Sequence, residues 1–226
     1  TKPGVKTYTY GHESGDFHAE NIRIGNGRII IDYISPWQKI EDIELGVPVS
    51  INIDNGVASM AMAEICGATA SEIKEAMATF AGADRRFDFH IKENDLVLLS
   101  DYAHHPEELE ATITSARRMF PSRRITAVFQ PHLYTRTRDL YREFAEALSP
   151  ADEVVLVPIY PARELPIEGV CSEMIGRNLK VEWQLVERED VSERLREMDT
   201  DVVVTFGAGN IDAVCEDIYK TLQSKL

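Results

Sequence analysis

The chain of 226 residues lacks the features that mark several large classes of protein. It has no apolar run long enough to cross a bilayer, and its first six residues lack the apolar core of a signal peptide. Its three cysteines, Cys66, Cys171 and Cys215, are widely spaced and form no Cys-x-x-Cys pair. These absences predict a cytoplasmic protein with reduced thiols and no membrane insertion.

Positive charge is also scarce. The chain has 24 lysines and arginines against 38 aspartates and glutamates, which gives a formal net charge of −14 at pH 7. Surfaces for nucleic acid or anionic membranes need clustered positive charge, so the composition argues against both. A small anionic ligand remains compatible, because a few arginines are enough to bind one. A complete Gly-x-x-x-x-Gly-Lys-Ser/Thr loop is absent, so the sequence has no standard site for ATP phosphates.

The front of the chain shows short strand and helix patterns. Residues 1–45 resemble strands, and Gly25-Asn26-Gly27 is typical of a hairpin turn. Residues 56–80 show helical periodicity, with capping-box spacing between Thr69 and Glu72 at the start of a second helix. These strands are too few to complete a sheet of their own, which suggests the end of a longer domain.

From about residue 87 the pattern changes to alternating strands and helices, after an edge strand at 88–92. Further strands are expected near 95–100, 124–129, 153–158, 181–186 and 201–206, and helices near 106–119, 137–148, 172–179, 190–198 and 211–224. This alternation predicts an α/β fold with a Rossmann-like, mainly parallel, doubly wound sheet. The change of pattern divides the chain into domains at 1–83 and 84–226.

Two strand-to-helix turns contain most of the polar chemistry. They are Asp101-Tyr102-Ala103-His104-His105-Pro106 and the segment 129–138, which reads Phe-Gln-Pro-His-Leu-Tyr-Thr-Arg-Thr-Arg. In an open parallel sheet such turns lie at the carboxyl ends of the strands, where ligands bind. One rim of the sheet is therefore expected to hold Tyr102, His104, His132, Arg136 and Gly207.

Structural roles compete with functional ones at these turns. His105 before Pro106 suits a helix cap, and His104 is compatible with either role. Asp101 and the two histidines are metal-ligand types, as in a metal-dependent phosphoesterase. Adjacent histidines point in different directions, however, so one turn is poorly suited to supply three ligands.

The arginines and glycines also have alternatives. Arg136 and Arg138 can be solvated surface charges, or they can bind a carboxylate or phosphate through two hydrogen bonds. Gly207-Ala208-Gly209-Asn210 fits close packing of a helix on a strand better than a phosphate loop. A nucleotide- or anion-binding module without catalysis is a further alternative.

Five segments occur together in a distinctive order: Asp84-Arg85-Arg86-Phe87, 101–106, 129–138, 160–167 and 207–211. In order and spacing they resemble the Mur ligase family of peptidoglycan synthesis. The resemblance covers residues 80–226 well, residues 46–80 more loosely and residues 1–45 weakly. The linked His-His-Pro and Phe-Gln-Pro-His segments are its specific part.

The resemblance implies a bacterial, ATP- and magnesium-dependent ligase with three domains. The intact enzyme would join L-alanine to UDP-N-acetylmuramate through an acyl phosphate. Residues 1–83 would be the end of the central ATP-binding domain and 84–226 the C-terminal domain. The phosphate loop and the magnesium-binding acids lie upstream in the family. The chain alone is therefore expected to be inactive, without catalytic or metal-binding residues of its own.

The resemblance also implies residue roles. Asn52 and Asn55 would face the adenine, and Arg86 would reach the nucleotide. The residues expected around L-alanine and the acyl phosphate are Tyr102, His104, His132 and Arg136. The chain departs from the family at Leu133, where many relatives have arginine, and at Ile51, where histidine is usual. A related murein-peptide recycling ligase shares the His-His-Pro turn but differs in the second segment.

Overall fold

The structure, a computed structural model, describes residues 4–225. The chain divides into two compact units, Thr1–Gly82 and Ala83–Leu226. Within the described residues, no helix combines the length and apolar character needed to cross a bilayer.

The first unit contains a four-stranded sheet in the order β1-β2-β3-β4, where the strands are Tyr10–Gly11, Phe17–Gly25, Arg28–Ile34 and Lys39–Glu44. The predicted hairpin is confirmed, because Asn26 and Gly27 take the left-handed φ values of 50° and 70° that a tight two-residue turn requires. The expectation that these strands cannot complete a sheet of their own is wrong, since β2, β3 and β4 pair as an antiparallel meander.

Two helices follow in the same unit, α1 at Ile51–Ile65 and α2 at Ala70–Thr79. The capping box of α2 is confirmed by reciprocal hydrogen bonds between Thr69 and Glu72. Helix α1 begins at Ile51, earlier than the helical periodicity from residue 56 predicted. The apolar pattern is missing from its first turns because polar residues occupy them. This early start places Asn52 and Asn55 on the helix itself.

The second unit contains a six-stranded sheet in the order β5-β6-β10-β7-β8-β9. The strands β5 to β10 are Asp88–Lys92, Val97–Asp101, Ile125–Phe129, Glu153–Leu156, Glu182–Leu185 and Val202–Phe206. Only the edge pair β5–β6 is antiparallel; the other pairs are parallel. Every residue of β7 and β10 is buried, as expected for strands covered on both faces. The predicted α/β fold with a mainly parallel sheet is confirmed.

The helices of this unit are α3 to α7, at Pro106–Met119, Tyr134–Leu148, Glu173–Gly176, Val191–Glu197 and Cys215–Gln223. Short 3₁₀ turns at Arg188–Asp190 and Asn210–Val214 precede the last two. Helix α5 is shorter than expected. Helix α4 begins at Tyr134 rather than near 137, because the N–H and the hydroxyl of Thr137 both donate to the Leu133 carbonyl. Arg136 therefore lies in the first turn of a helix and not in the loop before it.

Candidate functional site

The carboxyl ends of β6, β10 and β7 lie side by side at one level. In the register of these parallel strands, Phe206 is opposite both Asp101 and Phe129. Backbone pairing continues one residue further, because Gly207 N–H donates to Asp101 O and Gln130 N–H donates to Phe206 O. The turns that follow β6, β10 and β7 therefore lie next to one another at the same rim of the sheet.

The His104 ring lies between aromatic side chains from two of these turns. Its ring centre lies 5.4 Å from that of Tyr102 and 6.1 Å from that of His132. His132 in turn stacks on Tyr160, with ring centres 5.6 Å apart and planes inclined by 30°. The structure thus brings together Tyr102, His104 and His132, which the sequence placed at one rim.

The His104 ring is held at its Nδ1 atom. Nδ1 lies 3.1 Å from the Tyr102 carbonyl oxygen and 3.4 Å from Glu108 Oε2. The same Glu108 oxygen accepts the backbone N–H groups of His104 and His105, at 2.9 and 3.1 Å. Burial alone would raise the pKa of Glu108. The hydrogen bonds from these N–H groups and the neighbouring imidazoles outweigh burial and hold that pKa below its usual value.

His132 and Arg136 are positioned by the start of α4. Leu133 has a left-handed φ of 75°, and its N–H donates to Tyr160 O at 2.9 Å. Glu164 accepts the N–H and the hydroxyl of Thr135 at 3.0 and 2.5 Å. These bonds hold the pKa of Glu164 below its usual value. A carboxylate at a helix N-terminus is favourable, so the 160–167 segment fixes the first turn of α4.

Arg136 is half-buried and makes no hydrogen bond or ion pair with any of residues 4–225. Its Nη1 atom and His132 Nδ1 are both buried without a partner. Burial lowers the pKa of His132, and the positive charges of Arg136 and His104 add to the shift. The turn therefore presents an unpaired guanidinium beside a neutral imidazole. This combination suits an anion such as a carboxylate.

Arg85 connects the rim to the segment before β5, a role that the sequence did not predict. Its guanidinium donates to Gly207 O at 2.5 Å and lies 3.3 Å from Asp212 Oδ2. It also lies 4.9 Å from the centre of the Tyr102 ring, whereas Arg86 lies 5.8 Å from it. No local sequence pattern marks Arg85, because its partner Gly207 lies 122 residues later in the chain.

The glycine turn is closely packed. Gly207 has a φ of 148°, and a Cβ atom there would come 3.0 Å from Gln130 O. A Cβ atom on Gly209 would come 2.6 Å from Gln130 Oε1 and 2.7 Å from Tyr160. Both glycines are therefore required by the close approach of neighbouring turns, in agreement with the packing interpretation.

The metal interpretation has no geometric support at Asp101. One carboxylate oxygen accepts the Ala103 N–H at 2.8 Å, and the other accepts the Phe87 N–H at 3.0 Å and the Thr112 hydroxyl at 3.3 Å. Burial raises the pKa of this carboxyl group against those bonds. Within the part of the chain that the structure describes, no three His, Cys, Asp or Glu side chains are grouped to hold a metal. Asp101 therefore stabilises the turn.

Asn52 and Asn55 line a cavity of about 270 Å³ within the first unit. Its other walls are mainly apolar and include Val47, Met77 and Phe80. The Asn55 amide donates to Asn52 Oδ1 at 3.2 Å, and the Asn52 amide donates to Val47 O at 3.2 Å. Apolar walls with a few polar groups are typical of a small-molecule pocket. Arg86 belongs to the second unit, so a joint nucleotide site stays a prediction.

Comparison with known families places these features in context. Residues 85–209 match the family described as Mur ligase, glutamate ligase domain. The chain belongs to the Mur ligase family. The match includes the rim turns from Tyr102 to Gly209.

Mur ligase relatives cover almost the whole chain. The UDP-N-acetylmuramate–L-alanine ligase of Phocaeicola vulgatus is 55% identical over 224 residues, which are 98% of this chain and 49% of that protein. The chain thus spans about half the length of the curated relatives it matches.

Solved structures of Mur ligases share the fold. The UDP-N-acetylmuramate–alanine ligase MurC from Thermotoga maritima superposes with a TM-score of 0.78 at 25% identity, covering 97% of this chain and 48% of that chain. The MurF ligase of the same organism, solved in complex with ADP, gives a TM-score of 0.69 at 20% identity over 96% of this chain and 49% of that one. The second likeness concerns the fold alone.

Proposed function

We propose that this chain is part of an ATP-dependent ligase of the bacterial cytoplasm that joins L-alanine to UDP-N-acetylmuramate during peptidoglycan synthesis. The observation that carries the proposal is the 55% identity to a ligase of that name across 98% of the chain. In this proposal, residues 1–83 are the end of the central ATP-binding domain and residues 84–226 are the C-terminal domain.

The rim of the six-stranded sheet supplies the amino-acid site. Arg136 offers a guanidinium that has no hydrogen-bond or ion-pair partner in the described part of the chain, and His132 offers a neutral imidazole beside it. The two together can hold the carboxylate of L-alanine in charge-assisted contacts. Tyr102 and His104 form the adjoining wall. Holding the amine of L-alanine next to the reacting carbon can supply about 7–11 kcal/mol of a bimolecular barrier in favourable cases.

The nucleotide is shared between this chain and the rest of the ligase. The amides of Asn52 and Asn55 fit the edge of an adenine, and the apolar walls of their cavity fit its faces. Arg86, in the second unit, is proposed as a further nucleotide-binding residue. The phosphates and magnesium are bound by other parts of the ligase, since this sequence contains no phosphate loop. When bound, magnesium neutralises charge on the transferred phosphoryl group.

The test uses a full-length ligase that contains this chain. ADP release is measured with ATP, UDP-N-acetylmuramate and L-alanine, and the product is identified by mass. We expect release that requires both substrates and a product heavier by one alanyl residue. A matched reaction replaces L-alanine with a murein tripeptide. Turnover of the tripeptide but not of L-alanine would assign the chain to the recycling activity instead.

A further inference from the structure

The hydrogen bonds of His104 determine which of its ring nitrogens can accept a proton. A carbonyl oxygen can only accept a hydrogen bond, so the contact between Nδ1 and Tyr102 O requires a hydrogen on Nδ1. Glu108 Oε2, on the other side of the same nitrogen, is also an acceptor. The neutral ring therefore carries its lone pair on Nε2. That atom has no hydrogen-bond partner among residues 4–225.

Glu108 places a carboxylate beside the His104 ring. Glu108 follows it by four residues and stays ionised, because the backbone N–H groups of His104 and His105 outweigh burial and hold its pKa below the usual value. The uncharged Tyr102 ring separates His104 from Arg85 and Arg86, which lie over that ring. His105 follows on the same turn and shares the Glu108 carboxylate through its backbone.

The facing histidine, His132, has the opposite environment. Its pKa is lowered by burial and by the positive charges of Arg136 and His104. Glu164 favours its protonation but is outweighed. Of the two imidazoles that meet at the rim, His104 has a carboxylate beside its Nδ1 atom, whereas Nδ1 of His132 is buried without a partner.

We propose that His104 is the general base that removes a proton from the ammonium group of the incoming amino acid, and that Glu108 is its positioning residue. The inference rests on the proposed function, because it concerns the amine that attacks the acyl phosphate. Such an arrangement, a carboxylate orienting an imidazole whose other nitrogen takes the proton, is a recurrent solution for general-base catalysis.

The ammonium nitrogen loses two protons during the reaction. One proton moves from the ammonium nitrogen to Nε2 of His104, and the imidazolium is stabilised by Glu108. The freed nitrogen lone pair attacks the carbonyl carbon, so the C–N bond forms. The bond between that carbon and the phosphate oxygen then breaks, and the electron pair leaves with phosphate. A second proton passes from nitrogen to the departing phosphate, which leaves one N–H on the amide.

The first experiment compares His104→Gln with the parent protein in a full-length ligase containing this chain. Loss of a general base is expected to reduce kcat/KM for L-alanine by about 10²- to 10³-fold. The deficit should shrink as the pH is raised, because a growing fraction of L-alanine is already unprotonated. A deficit that stays constant with pH would overturn the proposal in favour of a structural role.

Hydroxylamine separates this inference from the proposed function. It is uncharged at neutral pH and can attack an acyl phosphate without a general base. With ATP and UDP-N-acetylmuramate, we expect both proteins to form the hydroxamate at similar rates. No hydroxamate from the parent protein would contradict the acyl-phosphate function itself. Equal loss of hydroxamate and alanine products in His104→Gln would overturn the general-base role alone.

The positioning role of Glu108 has a matched control on the same helical turn. Glu108→Gln keeps an oxygen to accept the backbone N–H groups but loses the negative charge. We expect kcat to fall about tenfold and the acid limb of the pH profile to move down by about one unit, with KM for L-alanine unchanged. Glu107→Gln, at an exposed carboxylate, should match the parent. If the acid limb of the pH profile is the same in Glu108→Gln as in the parent, Glu108 does not act as the positioning residue of His104.

Discussion

Arg85 and Tyr102 hold each other in place across the rim of the six-stranded sheet. The Tyr102 N–H donates to Arg85 O at 2.6 Å, and the Arg85 guanidinium lies 4.9 Å from the centre of the Tyr102 ring. The same guanidinium donates to the Gly207 carbonyl. One side chain thus connects the segment before β5 with the turns that follow β6 and β10.

Replacing Arg85 should therefore destabilise the second unit. Charge-assisted hydrogen bonds contribute roughly 1.5–3 kcal/mol each, so Arg85→Ala should lower the free energy of unfolding by about that amount. Urea unfolding of the chain, followed by circular dichroism, measures the change. Arg188→Ala is the control, since the Arg188 side chain pairs with its neighbour Glu189 and with no other residue among 4–225. Equal unfolding midpoints for the two variants would show that Arg85 is not a structural link.

Glu164 predicts a pH-dependent contribution to stability. Its pKa is lowered in the folded state by the hydroxyl and the N–H of Thr135. A lowered carboxyl pKa stabilises the fold above the unfolded-state value, about 4.3 for glutamate, and this stabilisation is lost as the pH falls through the folded-state value. Glu164→Gln should therefore unfold at a lower urea concentration than the parent at pH 7, and the gap should narrow at an acid pH below the unfolded-state value. A gap of the same size at both pH values would be the contrary result.

The nucleotide prediction concerns Arg86 and Asn55 in a full-length ligase. Arg86→Ala should raise the KM for ATP, because a positive charge near the nucleotide is lost. Asn55→Ala should also raise it, through loss of an amide at the cavity wall. Steady-state kinetics measure both changes, and the KM for L-alanine serves as the internal control. An unchanged KM for ATP in Arg86→Ala would show that this arginine is a surface charge that does not bind the nucleotide.

The elements that depend on local sequence could be predicted without the structure. The Thr69–Glu72 capping box, the hairpin at Asn26-Gly27 and the helix starting at Pro106 are each determined by residues a few positions apart. The parallel sheet was equally accessible, because its central strands are continuous apolar runs. Once the sheet is predicted, the histidines and the arginine that follow its strands are expected at one rim.

Features set by distant contacts could not be predicted in this way. Arg85 meets the glycine turn 122 residues later in the chain, so no local pattern reveals its role. The start of α4 depends on Glu164, 29 residues after Thr135, and on the left-handed Leu133. The contact of Glu108, in the first turn of α3, with His104, just before that helix, is by contrast local and could have been expected from the i, i+4 spacing.

Replacing Arg136 is the most direct test of whether the rim binds the carboxylate of L-alanine. Forked charge-assisted contacts contribute roughly 1.5–3 kcal/mol, so Arg136→Ala in a full-length ligase should reduce kcat/KM for L-alanine by roughly 10- to 150-fold. The KM for ATP should change much less. Leu133 cannot share the anion, which favours the upper part of that range.

Arg138→Ala is the matched control for this measurement. Arg138 lies on the same helix but is exposed and pairs with its neighbour Asp139. The account predicts that kcat/KM for L-alanine falls in Arg136→Ala and stays at the parent value in Arg138→Ala. A folded Arg136→Ala ligase with unchanged alanine kinetics would contradict it, because Arg136 would then be only a charge at the surface.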